Sequence, residues 1–355
     1  MNLRSLAWQS FDRTGLSSVC SALTAGRLQI LCYHGFSFED EHLFRGKLFM
    51  TPTRFAQRLE WLKRNNFIVL GLDEAIERLR AGRLRQREIA MTIDDGFHSV
   101  YALGLPILRS YGISATVYVT SYYVTHPNPI FRLAIQYMAW KSPHRLVEIS
   151  GLVPDCNGQI GLHGPQTAAV LEAFYESAEK RCTEDERISI AREFGRRSGV
   201  DYDALQRSRR LNLMSGPEIK ALRDQGFDIQ LHTHRHRLPL AAAEIEREIT
   251  DNRTALAPLA KGPLEHLCYP SGIWDTAQWP ALSAMGIRSA TTCVAGFNSR
   301  STPALGLRRF LDGEEIPAED FAAEMLGVKD LIRRARGRRA SQLHPEPGKS
   351  TLSSD

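Results

Sequence analysis

Mostly apolar runs and helical repeats alternate along the first third of the chain. "LQILCY", Leu28 to Tyr33, predicts a strand that ends at His34 and Gly35. Phe55, Leu59 and Leu62 recur at i, i+4 and i+7, which predicts a helix over roughly 53–65. "FIVL" reads as a strand, "LDEAIERLRAG" as a helix stopped by Gly82, and "EIAMTI" as the next strand. A helix around "VYALGLPILRSYG" and the β-rich "SATVYVT" follow. Strands alternating with helices imply βαβ units and a parallel sheet.

From about Ser121 to Asn212 the alternation stops. "FRLAIQYMAW", "TAAVLEAFYESAEKRC" and "TEDERISIAREFGRRSG" read as helices, the last opened by a capping box of Thr183 with Glu186. The βα pattern resumes at "SGPEIKALRDQG", with a second capping box of Ser215 and Glu218. Strand "FDIQLH", helix "AAAEIEREITDNRTAL", strand "EHLCYP", helix "DTAQWPALSAMG" and strand "IRSATT" complete it. The fold class is therefore α/β, one barrel-like domain interrupted by a helical excursion. Phe131, Tyr137 and Trp140 in the excursion suit a packed helix face better than a sugar-stacking platform.

At 355 residues the chain can bury a sizeable core, and 24% charged with 43% hydrophobic residues fits a globular protein. The formal charge is +5, but "KDLIRRARGRRA", residues 329–340, holds six basic residues and one acid and accounts for all of it. The body is close to neutral, which argues against a nucleic-acid-binding face. That basic run suits a solvated helix end or a peripheral contact with anionic lipid, and the polar segment beyond it reads as a disordered tail. Six scattered cysteines with no C-x-x-C pair read as free thiols of a reducing compartment. Polar residues break every apolar run near the N-terminus, so the expectation is no signal peptide, no transmembrane span and a cytoplasmic location, with the inner membrane face as an alternative.

Functional groups in parallel α/β folds gather at the C-terminal ends of strands. Four such ends carry chemistry: "CYHG", "TIDDG", "LHTHRH" and "CYPSG". His232 and His236 stand four apart just past a strand, where a turn can aim both imidazoles at one point. With one carboxylate of the Asp94/Asp95 pair they make a three-ligand open site for a divalent metal, and the second carboxylate is left to accept a proton. The bland alternative for "DDG" is a helix N-cap, and for each histidine a loop position. The combination outweighs both.

Taken in order, "YHG", "TIDDG", "HTHRH", "LCYPSG" and "MGIRSATTCVAGFN" resemble the motifs of the NodB-homology polysaccharide deacetylases, carbohydrate esterase family 4. The resemblance covers roughly 28–120 and 213–312. It implies a distorted (β/α) barrel with a catalytic domain over 28–327, a mostly helical insertion at 121–212, an N-terminal extension at 1–27 and a basic, disordered tail at 328–355. It implies hydrolysis of an N-acetyl group on an amino sugar, polysaccharide or glycan precursor, with zinc preferred over cobalt or iron. Carried over residue by residue, Asp94 is the general base, Asp95, His232 and His236 are the metal ligands, and Tyr269, Ser271, Thr233 and Arg308 are substrate or oxyanion residues.

Two positions depart from the family pattern. Cys268 stands where an arginine often orients the base, leaving Arg308 or Arg309 to substitute. The late L-x-H histidine, the usual general acid, has no counterpart in "LGLRRF", so protonation of the leaving amine falls to His34 or His234. The alternatives this leaves are hydrolysis of a non-sugar amide and a weakly active carbohydrate-binding homologue. No protein partner is implied.

Overall fold

A computed structural model describes residues 14–162, 164 and 166–336. These fall into two compact units, one taking the residues up to 96 with 100–122 and those from 216 on, the other taking 97–99 and 123–215.

The first unit is built on one parallel sheet. Its strands are β1 (Gln29–Tyr33), β2 (Ile68–Leu70), β3 (Glu88–Ile93), β4 (Thr116–Val119), β5 (Asp228–Leu231), β6 (His266–Cys268), β7 (Ser289–Thr291) and β8 (Phe310–Leu311). The order is β7-β6-β5-β4-β3-β1-β8, with β2 off this path. β3 runs along β1 from Ile89 to Ile93, while its other edge is shared: β2 pairs with its first half and β4 with Thr92 and Ile93. That shared edge is a distortion of a regular barrel. The two ends of the sheet approach each other through Leu307, which bridges Thr291 and lies just ahead of β8, itself paired with β1. This parallel half-barrel with surrounding helices is the architecture that the βα alternation predicts.

Alternation along the strands decides which side chains share the enclosed face. Leu28, Ile30, Ala90, Tyr118, Cys268 and Leu307 belong to one buried cluster. Two residues on along the same face come Cys32 after Ile30, Thr92 and Asp94 after Ala90, and Arg309 after Leu307. The apolar floor therefore gives way to polar groups towards the C-terminal strand ends.

The helix Pro52–Arg64 is capped by Thr51, whose hydroxyl accepts the Arg54 N–H, and it buries Phe55, Leu59 and Leu62, the three residues that announced it. The helix expected around "VYALGLPILRSYG" is broken in kind: a π-helical turn, Val100–Gly104, precedes the α-helix Leu105–Ser110. Phe36 explains the glycine between them, since a Cβ on Gly104 would lie 2.4 Å from its ring.

The second unit holds the helices Phe131–Lys141, Thr167–Arg181, Glu184–Ser198 and Tyr202–Ser208. Both halves of the Thr183/Glu186 capping box are formed. It also contains an antiparallel pair, Leu146–Glu148 with Gln159–Gly161, too short to show a period in sequence. Phe131 and Tyr137 are buried, whereas Trp140 is 38% exposed.

Helices occupy part of each terminal segment among the described residues. Within the extension expected at 1–27, Leu16–Leu23 is a helix, and within the tail expected at 328–355, Val328–Ala335 is another. Ion pairing and a buried carboxylate anchor the latter: Arg333 grips Glu324 at 2.5 and 2.8 Å, and Asp330 accepts the Phe297 N–H at 3.0 Å. Residues 1–13 and 337–355, including the end of the basic run and the rest of the expected tail, lie outside the described residues. All six cysteines are free. Among the described residues no helix is long and apolar enough to cross a membrane.

The seam between β1 and β8 depends on buried Asn298, whose amide donates to the carbonyls of Leu28 and Arg308 and accepts the Arg308 N–H. Asn298→Ala removes the partners of the Arg308 N–H and carbonyl while the Leu28 carbonyl keeps the backbone N–H of residue 298, and we expect a loss of about 1–3 kcal/mol in unfolding free energy, measured by urea denaturation.

Candidate metal and catalytic site

The site is assembled where the strands of the first unit end. β3 passes from Ile93 into Asp94, whose N–H still bonds the Tyr33 carbonyl at 2.9 Å. At Asp95 the backbone turns into the left-handed region, φ 68°, which redirects the second carboxylate away from the first. Thr233, His236 and Ser271, on the two other strand-end loops, adopt the same conformation at φ 61°, 54° and 55°. Such a conformation costs a non-glycine residue about 1–2 kcal/mol, and its recurrence on three neighbouring loops marks geometry held by the surrounding fold.

Asp95 faces the two histidines. Its Oδ1 lies 3.1 Å from His232 Nε2 and 3.2 Å from His236 Nε2, and one atom from each of the three residues falls within 4.8 Å of the others. The far side of His232 fixes its tautomer: Nδ1 lies 2.9 Å from the Cys268 carbonyl, which can only accept, so Nδ1 carries the proton. A neutral His232 then aims a lone pair at a carboxylate oxygen, an arrangement that needs a cation between them or a second proton on the ring. This is the donor set of a divalent metal site with a backbone carbonyl behind one ligand, and the residues fit such an ion. Burial works to raise the Asp95 carboxyl, but the two imidazoles that face it hold it well below the usual range. The His232 N–H donates to Asn252 Oδ1, and the Asn252 amide donates to the Val119 carbonyl and to Ser121 Oγ, which ties β5 to β4 behind the site.

Asp94 faces inward, at 2% exposure, and meets Arg309. The guanidinium, fully buried, donates Nη1 to Oδ1 and Nη2 to Oδ2, each at 2.7 Å. Arg309 is itself held by the Thr292 carbonyl at Nε, by Thr92 Oγ1 and by Cys268 Sγ. The thiols of Cys268 and Cys32 also donate to Asp94 Oδ2, at 3.2 and 3.5 Å. Burial pushes the Asp94 carboxyl up, and the Arg309 charge and hydrogen bonds more than cancel this, holding it well below the ordinary carboxylate value. His34 Nε2 stands 3.7 Å from the same oxygen, with its side chain 16% exposed. Burial lowers its pKa against the pull of Asp94 and Asp95, so the ring is neutral near pH 7.

The structure thus brings Asp94, Asp95, His232, His236 and His34 together. Four other residues expected at the site lie elsewhere or are already engaged. Arg308, in the extended link between Leu307 and β8, points the opposite way from Arg309, with its side chain beside Gly296. His234 leaves on the other side of the chain from His232, where its Nδ1 pairs with Ser121 Oγ at 2.9 Å and its ring meets Tyr122 edge-on. Thr233 is buried and its hydroxyl accepts the Arg237 N–H, closing the turn that carries His236. Tyr269 spends its N–H on the Thr291 carbonyl and its hydroxyl on the Leu305 carbonyl, and it stacks on Trp274. Ser271, by contrast, is exposed, and its N–H makes no hydrogen bond among the described residues. Cys268, which stands where an arginine often orients the base, bonds both members of the Asp94–Arg309 pair. The signal for Arg309 was present in "LGLRRF", but choosing between its two arginines required the strand register.

The family model for polysaccharide deacetylase matches residues 81–146 and 204–290. The deacetylase PplD from Streptococcus pyogenes, in complex with acetate, superposes with a TM-score of 0.56 at 16% identity, over 84% of this chain and 98% of that one. A de-N-acetylase from Aggregatibacter actinomycetemcomitans gives 0.54 at 13% identity, over 84% and 99%. IcaB from Ammonifex degensii gives 0.51 at 17%, over 84% and 97%. The search of curated proteins returned no match. The chain matches the polysaccharide deacetylase model over the two segments that carry Asp94, Asp95, His232 and His236. It is a hydrolase domain of the class acting on carbon–nitrogen bonds other than peptide bonds.

A buried carboxylate deprived of its partner is strongly destabilising, so Arg309→Leu should lower unfolding free energy by about 3–5 kcal/mol at neutral pH. The sign with pH follows from the depressed Asp94 pKa: its contribution is present above the unfolded value near 3.8 and is lost as pH falls below it. The gap between wild type and variant, measured by denaturant unfolding, should therefore narrow below about pH 4.

Proposed function

We propose that this protein removes the N-acetyl group from an N-acetylated amino sugar within a polysaccharide or glycan precursor, releasing acetate and a free amine. The observation that carries the proposal is the convergence of His232 and His236 on Asp95 Oδ1 at 3.1 and 3.2 Å beside a second, separately held carboxylate. The family match supports the reaction class. The acetate in the PplD structure is the product that such a reaction would leave.

In this reading Asp95, His232 and His236 hold a divalent metal, zinc being the ion best suited to two imidazoles and one carboxylate in an open site. The bound ion supplies Lewis acidity, which polarises the amide carbonyl and makes water a nucleophile near neutral pH. Asp94 accepts the proton of the attacking water, oriented by Arg309 so that its charge cannot rotate away. The Ser271 N–H donates to the developing oxyanion. His34, partly exposed and 3.7 Å from Asp94, takes that proton from Asp94 and passes it to the departing amine, so both groups end as they began.

A specific observation favours a second assignment of the same proton steps. Both Asp94 oxygens are taken by Arg309 at 2.7 Å, which lowers their basicity, while His34 is neutral and 3.7 Å away. Here His34 takes the proton from water and later returns it to the amine, with Asp94 holding the imidazole.

Acetate release from an N-acetylglucosamine oligomer should be abolished by a chelator and restored by zinc. Asp94→Asn should lower kcat by at least a hundredfold in the first assignment. In the second, His34→Ala should cost more than Asp94→Asn. Activity that survives exhaustive chelation, or full activity in Asp94→Asn and His34→Ala alike, would overturn both. A panel containing non-sugar acetamides separates sugar deacetylation from general amide hydrolysis.

A further inference from the structure

The helix Leu16–Leu23 is amphipathic the wrong way round for a core helix. Its buried residues are Ser17 and Ser21, whereas Leu16, Val19 and Leu23, at i, i+3 and i+7, are 49%, 53% and 63% exposed. The inward polar face is used: Ser21 Oγ accepts from Gln86 at 2.9 Å, and Thr24 Oγ1 donates to the carbonyls of Cys20 and Ser21. Among the described residues the outward apolar stripe faces solvent.

Its surroundings are basic. The helix Val328–Ala335 packs against it and presents exposed Ile332, Arg334 and, just beyond, Arg336. Gln86, which bonds Ser21, belongs to the loop that carries exposed Arg83 and Arg85. Arg83, Arg85 and Arg336 form no ion pair among the described residues, while the nearby carboxylates are committed elsewhere: Glu324 to Arg333, Glu88 to Arg78 and Asp320 to Lys329. The surface therefore combines an apolar stripe with uncompensated guanidinium groups, in a chain whose remaining charge is close to balanced.

We propose that this surface, made by Leu16, Val19, Leu23 and Ile332 with Arg83, Arg85 and Arg336, docks on an anionic phospholipid bilayer. Aliphatic side chains enter the headgroup boundary while arginines meet lipid phosphates. A second copy of this chain is a poorer occupant, because a two-fold contact would set the same arginines against each other. Nucleic acid would leave the apolar stripe unused. The helix precedes β1 and bonds the residue ahead of β3, so it lies at the N-terminal ends of the strands. The candidate metal site lies at their C-terminal ends, and a docked protein would hold that site turned away from the lipid.

The test is co-sedimentation of the full chain with vesicles of phosphatidylcholine alone or with an equal mass of phosphatidylglycerol, at low and high salt. The expected result is binding to the anionic vesicles at least tenfold tighter than to the neutral ones and weakened by salt. Arg83→Gln/Arg85→Gln/Arg336→Gln, which touches no packing, should weaken anionic binding roughly a hundredfold. Leu16→Ser/Val19→Ser/Leu23→Ser should weaken it at least tenfold with the circular dichroism spectrum unchanged. Equal retention on both vesicle types, or wild-type binding by both variants, would overturn the proposal. So would a dimer in sedimentation equilibrium that the serine variant dissolves while the wild type ignores vesicles.

Discussion

The buried pair of Asp94 and Arg309 is the constraint to which the rest of this site answers. A carboxylate 2% exposed at a strand end is tolerable only with a countercharge equally removed from water and with its remaining hydrogen bonds made. Arg309 meets that need because β8 lies next to β1, and β1 next to β3, so that the guanidinium passes beneath β1 to Thr92 and Asp94. The register is strict: a slip of one residue would present Arg308 to the interior and turn Arg309 outward. The approach of β7 to Leu307, the pairing of β8 with β1 and the ionisation of Asp94 thus stand or fall together.

Holding one carboxylate so firmly leaves its neighbour free for other work. Two adjacent aspartates repel if their side chains point the same way, and the left-handed turn at Asp95 removes that conflict by sending the second carboxylate to His232 and His236. The turn is strained, and so are those at Thr233, His236 and Ser271, which means the surrounding loops must hold these conformations against relaxation. Thr233 shows how: its hydroxyl accepts the Arg237 N–H across the turn that aims His236.

Much of this was legible in sequence because motifs at strand ends record local chemistry. "TIDDG" and "HTHRH" sit where the chain leaves the sheet, and the βα alternation that placed them there is a pattern of period and punctuation. What was not legible depends on contacts between distant segments. Arg309 and Asp94 are 215 positions apart, and Cys268 and Asp94 are 174 apart, so no local pattern could say that a thiol had replaced a charge and a charge had arrived from another strand. Tyr269 misled for a similar reason. Its neighbours in "CYPSG" face the site, but the strand directs its ring inward to Trp274 and its hydroxyl to Leu305. The Leu16–Leu23 helix inverted the usual rule that apolar positions mark the buried face, because Ser17 and Ser21 point inward and Ser21 meets a polar neighbour, Gln86.

Moving the arginine from the strand of Cys268 to β8 also changes the proton inventory. Where a thiol replaces a guanidinium, the Asp94 oxygen gains weak, neutral donors from Cys268 and Cys32 in addition to the bidentate charge of Arg309. Every one of these contacts favours the ionised carboxylate and reduces its tendency to keep a proton. A group so stabilised is suited to pass a proton onward rather than to store it, and His34, neutral and 16% exposed, stands 3.7 Å away. The proposed role of His34 rests on that distance, and it would answer the lack of a late histidine in "LGLRRF".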